Sequence, residues 1–226
     1  MQKVKLSAIF IGLAIMAFAN LTASAQTSKQ GVIRLNGGGN EFVTTVPAEP
    51  FIPAMQHDSN LVTIYSTLGT GNNVYSVLSG LGILGRDTGQ LYPEKVANGF
   101  RPKADHVVTE VQVGAWHFQG TNSLLVSLNA DDHGKPGAPF HTWRFTNLPT
   151  MWTCCTLQTG KYPKGIPVKK GKMYWVMVRP EKKFQDTWDT LADNFAGTQG
   201  PTFANNIGFG WDVSYQVLSA IGVFGK

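Results

Sequence analysis

The chain has 226 residues, a formal net charge of +5 and only 15% charged side chains. No Lys/Arg run exceeds two residues, so the clustered basic stripe of a nucleic-acid surface is missing from the sequence. Its 25 glycines, 12 prolines and 11% aromatics suit an all-β protein, in which short strands need many turns.

Residues 1–25 have the pattern of a secretory signal. Lys3 and Lys5 precede an uncharged apolar run over 8–19, and Ala23-Ser24-Ala25 forms a small-x-small cleavage site. The run is too short and wrongly flanked for a membrane span. Cleavage would leave Gln26 first and remove two lysines, taking the charge from +5 to +3. No second apolar stretch reaches spanning length. The expectation is a secreted protein, extracellular or periplasmic, with no membrane span in the mature chain.

Residues 26–60 are rich in Gly, Asn, Thr and Pro and include Gly37-Gly38-Gly39. Residues 32–35 and 42–46 can form short edge strands, but the composition predicts a loosely ordered arm. A β-sandwich domain is expected over 61–226. Regular structure starts at Leu61-Val62-Thr63-Ile64-Tyr65. Helical periodicity is conceivable in one place, 94–100. Over 107–118 the residues alternate, with Val107, Thr109, Val111, Val113 and Ala115 on one face and Glu110 and Gln112 on the other. That is a half-buried strand. Leu124, Val126 and Leu128 form the apolar face of the next, followed by a loop of Asp, Gly and Pro over 129–139. Further strands are expected near 140–145, 151–157, 172–178, 184–188 and 215–224. The run Met173-Tyr174-Trp175-Val176-Met177-Val178 is apolar on both faces and marks a central strand. The predicted fold is a two-sheet antiparallel sandwich of jelly-roll type. Its inner face is expected to hold Val111, Val113, Leu124, Val126, Leu128, Trp175 and Val217.

Cys154 and Cys155 are neighbours. Adjacent Cα atoms lie about 3.8 Å apart, below the usual disulfide range. Two half-buried strand thiols are the simplest reading. A vicinal disulfide, favoured by an oxidising compartment, and an intermolecular bridge are the alternatives. No reading clamps distant parts of the chain.

From Tyr65 onward the order of features carries a resemblance. It includes Gly69-Thr70-Gly71, Lys95-Val96-Ala97-Asn98-Gly99-Phe100, Asn129-Ala130-Asp131-Asp132-His133-Gly134-Lys135-Pro136-Gly137, Gly171-Lys172-Met173-Tyr174-Trp175 and Ala220-Ile221-Gly222-Val223-Phe224-Gly225. As a set these resemble the bacterial secreted choice-of-anchor domains, the R type in particular, over about residues 61–224. The resemblance implies a jelly-roll-like sandwich on an exported protein. It implies no catalytic residues. A C-terminal anchor segment, common after such domains, is not expected after Phe224.

Three candidate sites follow from chemistry. Asn129, Asp131 and Asp132 can offer oxygens to Ca²⁺, although the full calcium-loop pattern is missing and Asp and Gly also make turns. An exposed tryptophan beside polar loop groups can stack on a sugar. Trp188 with Asp186 and Asp189 is the first choice, and Trp211 with Asp212 and Asn206 the second. Trp116 and Trp152 also alternate away from apolar neighbours, whereas Trp175 belongs to the core. Paired catalytic carboxylates have little support among five glutamates. No Gly-x-Ser-x-Gly elbow or His-Glu-x-x-His helix occurs. Of the dispersed histidines, His117 and His141 are the pair that strands can bring together. The leading expectation is a non-catalytic extracellular module binding a glycan or envelope component. A secreted polysaccharide hydrolase and a structural matrix component are the rivals. N-terminal sequencing of exported material should read Gln26 first; a retained residue 1 would refute the signal.

Overall fold

The computed structural model describes residues 29–35, 40–46 and 60–226. The export signal expected over 1–25 lies outside these residues. The described part is a β-sandwich of two mostly antiparallel sheets. In chain order the strands are β1 (Lys29–Leu35), β2 (Asn40–Val46), β3 (Val62–Ser66), β4 (Ser79–Leu84), β5 (Lys95–Phe100), β6 (His106–Gln119) and β7 (Ser123–Asp132). They continue with β8 (Lys135–Thr146), β9 (Leu157–Val168), β10 (Tyr174–Pro180), β11 (Trp188–Ala192), β12 (Gln199–Asn206), β13 (Asp212–Val217) and β14 (Ile221–Gly225). The larger sheet runs β2-β1-β4-β11-β6-β14-β3, with β9 also paired to β6. The smaller runs β13-β12-β5-β10-β7-β8. No described helix is long and apolar enough to cross a membrane.

Several expectations need correction. Residues 94–100 are not helical: Val96 and Phe100 point into the core, and β5 is hydrogen-bonded between β10 and β12. The described parts of the N-terminal arm form a β1–β2 hairpin rather than loose chain. β1 pairs in parallel with β4, and Ile33 is fully buried. Apolar side chains at Val32, Ile33 and Leu35 outweighed the Gly- and Thr-rich composition around them. Residues 151–157 are not a strand; the chain there leaves the sheet and folds over Trp116, with Trp116 Nε1 donating to the Thr153 carbonyl at 2.7 Å. The region 215–224 splits into two strands in different sheets, β13 and β14.

The alternation in β6 also changes phase. Its register to β14 shifts between Val108 and Glu110, with Phe224 opposite Glu110 but Gly225 opposite Val108, so Thr109 is the extra residue. Such a bulge adds one unpaired residue and reverses the faces beyond it. Val108, Val111, Val113 and Ala115 therefore share the core, while Val107 is exposed. Glu110 and Gln112 are buried too, joined by a 2.9 Å bond from Gln112 Nε2 to Glu110 Oε1.

The main core lies between the sheets and includes Leu81, Val111, Val113, Leu124, Val126, Leu128, Val176, Leu191 and Phe203. Trp143 joins it by lying against Gly160, where a β-carbon would come within 2.5 Å of the ring. A second cluster covers the opposite face of the larger sheet, built from Ile33, Tyr75, Leu84, Trp116, Trp152 and Trp188. A third, small cluster places Trp175 with Ala97 and Ala204. Trp175 is thus buried as expected but on the outer face of the smaller sheet, because strand neighbours alternate and Tyr174 and Val176 take the inner face. Val217 is half-exposed and sits outside the core. Val126 is fully buried in the main core. Val126→Ala should lower stability by about 1–3 kcal/mol, read by urea denaturation; an unchanged midpoint would contradict its placement.

Candidate functional site

The β7–β8 connection carries the three calcium candidates and gives each a role in the turn. The expected 129–139 loop is a two-residue hairpin turn, His133-Gly134, with φ of 53° and 80°. Two successive positive φ values are what such a turn requires, and Gly supplies one without strain. The candidate ligands are occupied by the turn and its surroundings. Asp131 Oδ2 accepts from Gly134 N–H at 3.0 Å, and Asp131 Oδ1 accepts from Trp175 Nε1 at 2.8 Å. Asn129 is fully buried, donating Nδ2–H to the Gly137 carbonyl and accepting the Ser127 hydroxyl. Asp132 Oδ1 lies 2.7 Å from His133 Nδ1. Among the described residues no three His, Cys, Asp or Glu side chains cluster as metal ligands.

The first-choice tryptophan is not available for stacking. Trp188 is only 4% exposed. Its ring packs edge-on against Phe118 at 4.5 Å and Phe42 at 5.5 Å. β11 is interior, between β4 and β6, and its outer face is covered by the second cluster. Asp186 is exposed and accepts the Thr121 hydroxyl at 3.0 Å, while Asp189 is fully buried. The three residues therefore make no common surface. Trp116 and Trp152 are buried in the same layer.

Asp189 instead forms a buried couple. It pairs with Ile83 on one side and His117 on the other, and His117 Nδ1 lies 2.8 Å from Asp189 Oδ1. Asp189 Oδ2 has no hydrogen-bond partner. Burial pushes this carboxyl up to about 6, and the nearby His117 offsets only part of that. His141 does not meet His117; it lies on β8 of the smaller sheet and stacks on Tyr162 of β9 at 4.1 Å.

Cys154 and Cys155 are joined to each other in a disulfide across a cis peptide bond. The free-thiol reading is overturned. The segment between β8 and β9 is not an extended strand, so the two side chains need not point to opposite faces. Neither sulfur clamps a distant part of the chain.

The second-choice set stays together at the surface. Trp211 is half-exposed at the start of β13, packed on the side of the Trp175–Ala97–Ala204 cluster. Lys95 Nζ sits 5.2 Å from the Trp211 ring centroid. Asn206 pairs with Lys95 across the strands, so the two share the outer face. Its Oδ1 accepts from Gly208 N–H at 2.9 Å. Asp212 is exposed but pairs with Asn205, whose side chain belongs to the opposite face. The set keeps Trp211 and Asn206 on one surface and sets Asp212 at its border. Sequence reasoning did not mark the other members. Tyr215 is 65% exposed, two residues along the same strand face from Val213, and Phe209 is 80% exposed and edge-on to Tyr92 at 5.5 Å. Phe209 was signalled by its place between Gly208 and Gly210, but strand register was needed to group Tyr215 with it. Beneath this surface Trp175 lies across Gly99, where a β-carbon would meet the ring at 3.0 Å.

The Asp189 couple gives a pH prediction. The folded carboxyl titrates above the ordinary 3.8, so the folded state holds its proton more tightly. The resulting stabilisation is complete below about pH 4 and is lost as pH rises through about 6. Two pKa units correspond to about 3 kcal/mol as an upper magnitude. Urea denaturation at several pH values should show this decline, and Asp189→Asn should remove it; an equal decline in the variant would refute the assignment. The chain matches no protein-family model, no curated protein and no solved structure.

Proposed function

We propose that this protein is an exported, non-catalytic module that binds a glycan on the outer face of its smaller sheet, around Trp211. The observation that carries this reading is the contrast among the tryptophans. Trp116, Trp143, Trp152, Trp175 and Trp188 are buried, whereas Trp211 is half-exposed. An open indole face offers apolar contact to a sugar ring, and adjacent amides and charged groups satisfy its hydroxyls. Asn206 and Lys95 stand beside it, and Tyr215 and Phe209 extend the aromatic surface.

Export rests on the signal pattern over 1–25. The likeness of residues 61–224 to choice-of-anchor domains agrees with an exported sandwich and supplies no catalytic residues. A hydrolytic reading would need two carboxylates facing one bond. The Asp186 and Asp189 pair does not support it, since one is exposed and the other fully buried.

Titration calorimetry of the mature chain against a panel of plant, algal and bacterial polysaccharides tests the proposal. Trp211→Ala should weaken binding by about 1 kcal/mol or more while leaving the melting temperature nearly unchanged. Trp188→Ala should instead cost several kcal/mol of stability, about 3–5, because it empties a buried site. Full affinity in Trp211→Ala would reject this surface.

A further inference from the structure

We propose that the glycan bound at Trp211 is acidic, with its anionic substituent, carboxylate or sulfate, received by Lys95 and Arg179. This rests on the binding reading above and names the ligand class of the same surface.

The inference starts from register. Val96 pairs with Val178, so the next step outward sets Lys95 of β5 beside Arg179 of β10. Arg179 in turn pairs with Leu125, and Leu125 with Arg144. Asn206 pairs with Lys95 on the other side. Asn206, Lys95, Arg179, Leu125 and Arg144 thus form one row across five strands, on the face that carries Trp211. Neighbouring strands lie about 4.8 Å apart, so Lys95 and Arg179 are within reach of one small anion.

The charges in this row are treated unequally. Arg144 is neutralised by Glu181, with Nε 2.7 Å from Oε2. Lys95 and Arg179 have no carboxylate partner among the described residues. Arg179 donates to the neighbouring Pro180 carbonyl at 3.2 Å, and Lys95 leans over the Trp211 ring. Both are half-buried. Like charges placed across from each other in a sheet are destabilising. Burial lowers the Lys95 ammonium from its usual range, and Arg179 lowers it further. A bound anion would relieve that repulsion, and the guanidinium offers a two-pronged donor for a carboxylate or sulfate. The Trp211 ring beside the ammonium then takes the sugar face, so one monosaccharide unit can satisfy both features.

The test measures affinity of the mature chain for three probes of similar length: an oligogalacturonate, a sulfated oligosaccharide and a neutral cello-oligosaccharide. The expected result is at least about tenfold tighter binding of an acidic probe, weakening as salt is raised. The carboxylate and sulfate arms identify which anion is preferred. Arg179→Met should remove most of that preference while leaving binding of the neutral probe unchanged, and Lys95→Met should weaken binding of the acidic probe far more than that of the neutral one. Trp211→Ala should weaken every probe that binds. Equal affinity for acidic and neutral probes, insensitive to the two Met variants, would overturn the acidic inference and leave glycan binding standing. Acidic binding lost in the Met variants but intact in Trp211→Ala would overturn stacking at Trp211. No binding to any probe by a chain with an unchanged melting curve would overturn both.

Discussion

The pairing of β6 is the constraint on which the rest of this structure depends. This one strand hydrogen-bonds to β9, β11 and β14, and Thr150 bridges to it at His117. Most of its middle is buried on both faces. A strand so placed must satisfy its backbone through neighbours on both edges, since water cannot reach it. That demand draws chain segments far apart in sequence into the larger sheet. It also means two layers must be built, one on each face. Val111 and Val113 feed the inter-sheet core, and Trp116 feeds the outer aromatic layer.

The two sheets differ in how they finish their outer faces. The larger sheet is roofed by the 67–78 and 148–157 segments, which bring Tyr75, Met151 and Trp152 down onto Trp116 and Trp188. The smaller sheet has a small cluster of Trp175, Ala97 and Ala204, with the half-buried Met173, Met177 and Trp211 against it. Small residues on β5 and β12 leave that face shallow and open. The ligand surface proposed above accordingly lies on the smaller sheet, while the buried aromatics of the larger one serve packing.

Much of the architecture was legible in the sequence, for physical reasons that can be named. β7 was readable because Leu124, Val126 and Leu128 keep strict period two. β10 was readable because both its faces are apolar. β9 was missed, since Lys161, Pro163, Lys164 and Pro167 dilute its pattern, and β12 was missed because polar and small residues dominate it. The bulge in β6 inverted part of a correct alternation, an error that local pattern alone cannot reveal. The candidate site was half legible. A tryptophan beside two aspartates looked promising at Trp188, yet its burial depends on side chains distant in sequence, among them Ile33, Phe42 and Phe118. At Trp211 the local sequence was right, but Lys95 and Arg179 are 84 positions apart and meet only through β5–β10 register.

The N-terminal hairpin has a consequence for the molecule's self-association. β4 would otherwise offer an open row of peptide groups to any passing strand. β1 occupies that row, Arg34 ties the hairpin to Asp193, and Gly31 lets the Trp152 ring lie against the backbone. β2 then becomes the boundary, with Glu41 pointing to solvent. The hairpin thus moves the sheet's outer edge from the apolar β4 to β2, where the solvent-facing charge of Glu41 discourages pairing with a second molecule.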